Sequence, residues 1–295
     1  MIATPPAAWA RAGDDWPNRE ASRFVRAGGI TWHVQVMGNG PVALLLHGTG
    51  AATHSWRGLA PILAANFTLV MPDLPGHGFT EIAASHRLSL PGMARDVAAL
   101  LAAMQIQPAL AIGHSAGAPV LARMCLDGSI APRGLVSLNG AFMPLPGPGG
   151  QVFAPLARFL VGFPVLPALF SWRAGDGRMV RGLLEGTGSK IDAVGVDFYT
   201  RLVRNPAHTG AALRMMAGWQ LEPLVRDLPK LATRLLLLAG ERDRAIPPAD
   251  SARVQALVPG AELHIQPGLG HLAHEEDPAG TAAPIVDFAQ RVGAA

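Results

Sequence analysis

Three residue types that together can make a hydroxyl reactive stand at defined points of this chain. Ser115 lies in Gly113-His114-Ser115-Ala116-Gly117, Asp243 in Gly240-Glu241-Arg242-Asp243, and His271 in Gly268-Leu269-Gly270-His271. A serine hydroxyl is a weak nucleophile at neutral pH and needs an adjacent base. A histidine can take its proton and return it to a leaving group. A carboxylate on the far side of the imidazole fixes the tautomer and stabilises the imidazolium. The Gly-x-Ser-x-Gly spacing suits a sharp strand-to-helix turn that projects the hydroxyl from a sheet. Gly113 and Gly117 flank that turn because a Cβ there would collide with the neighbouring strand and helix. Another strand end competes for the acid position, but it carries Asn139, which cannot hold the charge, so Asp243 is preferred.

The oxyanion of such a reaction needs two backbone N–H donors. Ala116, directly after the serine, supplies one, and Thr49 in His47-Gly48-Thr49-Gly50 the other. His54, Trp56 and His114 are candidates to line the substrate pocket, with packing as the alternative role. His47 reads as shaping its turn. Asp73 and His77 in Asp73-Leu74-Pro75-Gly76-His77-Gly78 read as hydrogen-bonded residues of a tight structural turn. The run His274-Glu275-Glu276-Asp277 reads as a solvated helix start rather than a metal site. The chemistry so assembled calls for no metal and no cofactor.

The elements that must position these residues follow from apolar periodicity. Runs 22–26 and 30–37 alternate around Gly28-Gly29 and predict a hairpin. Runs 42–46, 67–71, 110–112, 135–138 and 235–239 are short and apolar, 262–266 reads as a further strand, and helical stretches are predicted at 56–65, 90–104, 116–126 and 248–257. Alternating strands and helices imply a parallel sheet covered on both faces. In such sheets ligands bind at the carboxyl ends of the strands, where Thr49, Ser115, Asp243 and His271 all fall. The rhythm breaks between Pro144 and Thr233. Helical segments such as 152–160, 194–203 and 211–219 make this interval a helical insertion that would cap those strand ends. The division expected is therefore a core of 1–143 and 234–295 with a lid of 144–233. Residues 1–20, with Pro5, Pro6 and Pro17, read as an irregular arm without a signal pattern.

With 295 residues, 49% of them hydrophobic, the chain can bury a large core. Only 15% are charged and the mean hydropathy is +0.27, so the excess apolar surface implies a lined pocket, a partner or a membrane face. The net charge of +3 comes with no basic run interleaved with aromatics, which argues against nucleic acid. The single cysteine, Cys125, excludes an internal disulfide and cysteine-based metal sites, and reads as a small buried hydrophobe. The longest apolar stretch, 152–170, is broken by Arg158, Gly162, Pro164 and Pro167 and makes a poor membrane span. A cytoplasmic protein is expected, with room for peripheral contact at the inner membrane.

On these motifs the chain resembles the α/β-hydrolase family over nearly its whole length: Ser115, Asp243 and His271 at the triad positions, His47-Gly48 at the oxyanion loop, and 73–78 at the Asp-x-x-Gly-x-Gly turn. It is also similar, through Trp16-Pro17-Asn18, Trp32-His33-Val34-Gln35, residues 47–57, 73–80, 202–206 and 268–276, to the magnesium-chelatase accessory proteins of bacteriochlorophyll biosynthesis. That resemblance implies a photosynthetic role in tetrapyrrole metabolism and association with magnesium chelatase, without defining a reaction. A lid rich in Phe, Leu, Val and Met could hold a flat apolar tetrapyrrole. Its arginines, Arg158, Arg173, Arg178, Arg181, Arg201, Arg204 and Arg214, would be a solvated face or, for one or two, propionate partners. Three functions stay open: a serine hydrolase acting on an ester of an apolar, tetrapyrrole-like substrate; a non-catalytic accessory or pigment-precursor-binding protein; and a cofactor-free haloperoxidase or carbon–carbon bond hydrolase.

Overall fold

The computed structural model describes residues 3–144 and 177–295. Its centre is an eight-stranded sheet in the order β1-β2-β4-β3-β5-β6-β7-β8. The strands are β1 Ser22–Ala27, β2 Ile30–Met37, β3 Val42–Leu46, β4 Thr68–Pro72, β5 Leu110–His114, β6 Gly134–Leu138, β7 Arg234–Gly240 and β8 Glu262–Gln266. Pairings β1–β2 and β2–β4 are antiparallel and the rest are parallel. The hairpin closes through Gly28 and Gly29, both at positive φ (58° and 83°), the backbone a two-residue turn requires.

The apolar strands are buried on both faces, which is why they read as continuous runs instead of alternating ones. In β3, Leu44 and Leu46 join one core with Val97, Leu100 and Val120; Ala43 and Leu45 join the other with Leu59, Ile285 and Phe288. The helix Leu90–Met104 starts at Ser89, whose side chain accepts from Gly92 N–H, and ends at Gln105 in left-handed conformation. The helix Gly117–Leu126 follows β5 directly. Cys125 is largely buried beside the first core, and burial pushes its thiol up to about 11, leaving it inert.

Chain order makes β3 a switch point. The chain leaves β3 for β4 on one side and returns to β5 on the other, so a crevice opens between the ends of β3 and β5. Those two ends carry Thr49 and Ser115. Between β6 and β7 the described part of the insertion is helical: Arg178–Gly186, Ala193–Val203, Pro206–Ala217 and Glu222–Asp227. The expected helix 152–160, with Arg158 and Arg173, lies outside the described residues.

Three expectations need correction. The arm 1–20 is not irregular throughout: Ala7–Ala12 forms a helix after Pro5-Pro6, and Arg19–Ala21 a 3-10 turn. Trp9 and Trp16 dock it edge-on against Phe79, each at 4.9 Å, and the Trp16 indole donates to Thr53 Oγ1 at 3.0 Å. The helix predicted over 56–65 is a 3-10 turn, Thr53–Trp56, and a short helix, Leu59–Leu63. Pro61 has no N–H to bond back to Arg57, so one helix cannot run through. The run 274–277 is not a solvated helix start: His274 is fully buried, and so is the Glu275 side chain.

Candidate active site

The serine stands where β5 turns into the helix Gly117–Leu126. Its φ is +49°, a left-handed conformation that a non-glycine residue adopts at a cost of about 1–2 kcal/mol. Hydrogen bonds hold the strain: Ser115 N–H donates to Leu138 O at 3.0 Å, and its carbonyl accepts from Ala141 N–H at 3.0 Å. A Cβ on Gly113 would stand 2.4 Å from Ala118 N, and one on Gly117 would stand 2.1 Å from Leu46 O. No side chain larger than hydrogen fits either place.

Asp243 comes from the loop after β7. Its Oδ1 accepts from Ala245 and Ile246 N–H, both at 2.8 Å, which fixes the carboxylate plane. Its Oδ2 accepts from His271 Nδ1 at 2.8 Å. The other ring nitrogen of His271, Nε2, lies 3.1 Å from Ser115 Oγ. With a carboxylate at Nδ1, that nitrogen carries the proton and Nε2 is free to accept the serine hydroxyl. The loops after β7 and β8 are pressed together, since a Cβ on Gly240 would stand 2.3 Å from Gly270 O. Three residues from three strand ends thus form one hydrogen-bonded chain.

The loop after β3 packs beneath the serine. A Cβ on Gly48 would stand 2.8 Å from Ser115 Cβ, so glycine permits the approach. Among the described residues, no protein acceptor takes the backbone N–H of Thr49 or of Ala116. The Thr49 hydroxyl donates to Met215 Sδ at 3.5 Å. His47 shapes this loop: Nδ1 donates to Gly48 O at 2.8 Å and Nε2 accepts from Leu74 N–H at 2.9 Å. Burial lowers its pKa, so it remains neutral. In the turn below, Asp73 accepts from His33 Nδ1, Thr53 N–H and Phe79 N–H. Burial alone would raise its pKa, but His33 and these donors hold it far below the usual carboxylate range. His77 donates to Pro75 O.

His114 is buried next to the serine, and its Nε2 donates to His271 O at 3.0 Å. Burial, with His274 and His271 close by, lowers its pKa well below the usual imidazole value. His54 and Trp56 are wholly interior. His54 lies edge-on to Tyr199 at 4.5 Å, and Trp56 lies 4.9 Å from His274. Glu275 links core and insertion: it accepts from Tyr199 Oη at 2.8 Å and from Arg57 Nη1 at 2.5 Å, while Arg57 also pairs with Asp192. Arg201, one of the insertion arginines, is engaged by Asp15 and Asp197.

Sequence reasoning passed over two groups here. Asn139, considered only as a rejected acid, donates Nδ2 to Asp243 Oδ2 at 2.8 Å. His208, on the helix Pro206–Ala217, reaches the loop after β3. Neither stands in a pattern that names its partner. Among the described residues, no group of three or more His, Cys, Asp or Glu could hold a metal ion, and no helix is long and apolar enough to cross a membrane.

A model of the alpha/beta hydrolase family matches residues 43–283. The magnesium-chelatase 30 kDa subunit of Rhodobacter capsulatus is 40% identical over 276 residues, 93% of this chain and 96% of that protein. A pimeloyl-acyl-carrier-protein methyl ester esterase of Xanthomonas oryzae is 30% identical over 81% of this chain and 91% of its own length. Among solved structures, the epoxide hydrolase CorEH shares the fold with a TM-score of 0.78 at 22% identity, over 92% of this chain and 99% of that one.

Proposed function

The chain belongs to the alpha/beta hydrolase family, and from that premise we propose that it is a serine hydrolase that cleaves an ester of an apolar substrate. The observation that carries this reading is the chain from Asp243 through His271 to Ser115, at 2.8 and 3.1 Å, ending on a serine held at positive φ. Ser115 Oγ attacks the acyl carbon while His271 Nε2 takes its proton. Asp243 stabilises the imidazolium. The N–H groups of Thr49 and Ala116 receive the oxyanion, each donor being worth about 3 kcal/mol of the barrier. His271 then protonates the leaving alcohol, and water releases the acyl group by the reverse proton path. In this proposal 1–143 and 234–295 are assigned to the catalytic body and 144–233 to a cap, of which 145–176 lie outside the described residues.

The similarity to a magnesium-chelatase subunit supports a tetrapyrrole ester as substrate and an association with that chelatase. A fluorophosphonate probe tests the chemistry. Wild type takes the label and Ser115→Ala does not; equal labelling of both proteins sinks the proposal. A panel of tetrapyrrole esters then tests the substrate class.

The same 40% identity favours a second reading, an accessory protein that holds a pigment precursor for the chelatase without turnover. A deletion strain complemented with Ser115→Ala separates the two. Restored pigment synthesis supports the accessory role, and failed synthesis with a folded variant supports the hydrolase.

A further inference from the structure

His208 lies on the insertion helix Pro206–Ala217 and is buried. Its imidazole touches two turns of the core at once. Nδ1 accepts from Gly78 N–H at 3.1 Å, and Nε2 donates to Gly50 O at 3.2 Å. An N–H can only donate and a carbonyl can only accept, so these partners select one neutral tautomer. Burial lowers the pKa of His208 to about 4, which keeps it in that form at neutral pH.

The carbonyl it holds belongs to Gly50, the residue after Thr49, and Gly50 has φ +77°, a conformation open to glycine but not imposed by it. Two further contacts tie the same helix to this region. Met215 receives the Thr49 hydroxyl, and a Cβ on Gly76 would stand 2.5 Å from Ala211 Cβ. The His208 ring also stands edge-on to His77 at 5.1 Å. The loop after β3 is therefore braced from the insertion side, at Gly50 O and the Thr49 hydroxyl, as well as from the core by His47.

We propose that His208 is a positioning residue for the oxyanion loop, holding the Gly50 carbonyl and through it the Thr49 N–H in place for the developing charge. This rests on the serine-hydrolase reading above. It makes the insertion part of the reacting machinery and not only a cover. A ligand that moves the helix Pro206–Ala217 moves an oxyanion donor with it.

The test is fluorophosphonate labelling resolved into a binding constant and a maximal phosphonylation rate, since the P=O oxygen occupies the oxyanion site. His208→Leu removes both hydrogen bonds. The expected result is a maximal rate about 10- to 100-fold lower, the effect of a misplaced oxyanion donor, with the binding constant unchanged within about twofold. His208→Gln offers one donor and one acceptor and should restore most of the rate, which a merely structural loss of packing would not allow. Should the leucine variant not fold, His208→Asn takes its place, its shorter amide spanning only one partner. A wild-type rate in the leucine or asparagine variant, or a glutamine variant no faster than these, overturns the positioning role alone. A wild type that takes no label overturns the hydrolase reading and this inference with it.

Discussion

Asn139 Nδ2 and His271 Nδ1 donate to the same oxygen of Asp243, each at 2.8 Å. Asn139 is the residue at the end of β6, at φ +49°, and its amide also approaches Gly270 O at 3.3 Å. It therefore helps hold the acid and the histidine loop together. Asn139→Gly keeps the backbone and removes a charge-assisted bond worth about 1.5–3 kcal/mol. Urea unfolding should show a loss of that order, with slower fluorophosphonate labelling. Asn139→Ala should lose about 1 kcal/mol more, because its Cβ must enter the left-handed region without a compensating side-chain bond. Wild-type labelling in both variants would remove Asn139 from the site.

The strain at Ser115 makes a stability prediction independent of substrate. Ser115→Ala and Ser115→Gly should both abolish labelling. The glycine variant should be more stable than the alanine variant by about 1 kcal/mol, because glycine reaches φ +49° without the Cβ clash. Paired urea melts read the difference, and equal midpoints would mean the turn is unstrained.

Glu275 predicts a pH dependence. Burial pushes its carboxyl up to about 7 from 4.5, against the pull of Arg57 and Tyr199. A raised folded-state pKa means that the native state holds the proton more tightly than the unfolded chain. The contribution is full below about pH 4.5 and is lost as pH rises through about 7. Between pH 5 and about 7.5, wild type should lose up to about 3 kcal/mol of stability that Glu275→Gln does not lose. Unfolding series of both proteins across that range test the sign, and parallel curves would refute it.

Glycines at three positions should respond in opposite directions. Gly117→Ala forces a Cβ to 2.1 Å from Leu46 O, between β3 and the helix that follows Ser115, and should cost about 3 kcal/mol. Gly48→Ala meets Ser115 Cβ at 2.8 Å and should depress labelling more than stability. Gly182, exposed within the helix Arg178–Gly186 with nothing among the described residues near its missing Cβ, should gain about 0.5–1 kcal/mol on change to alanine. Thermal melts and labelling rates distinguish the three.

Much of this molecule was legible from local pattern. The inner parallel strands β3, β5, β6 and β7 announce themselves as short apolar runs because they are buried on both faces, whereas the edge strand β8, Glu262–Gln266, is half-exposed and mixed in sequence. The turn residues after each strand stand beside it in the chain. Gly113, Gly117 and Ser115 are recognisable together because the same tight turn constrains all three. The three-residue chain was legible for a related reason: the fold places strand ends side by side, so position after a strand is itself a spatial coordinate.

What the tertiary structure decided is the fate of polar and aromatic groups whose partners lie far along the chain. Hydropathy marks His274 and Glu275 as solvent-seeking, yet Glu275 is buried because Arg57, 218 residues away, and Tyr199, 76 away, satisfy it. Trp9 and Trp16 order the N-terminal arm through Phe79 and Thr53. Asn139 is drawn to Asp243 across 104 residues and His208 to Gly50 across 158. A residue's own type states what it needs, a donor, an acceptor or an apolar neighbour. Only the folded chain brings that partner within 3 Å or so, and a buried polar group is stable only where this happens.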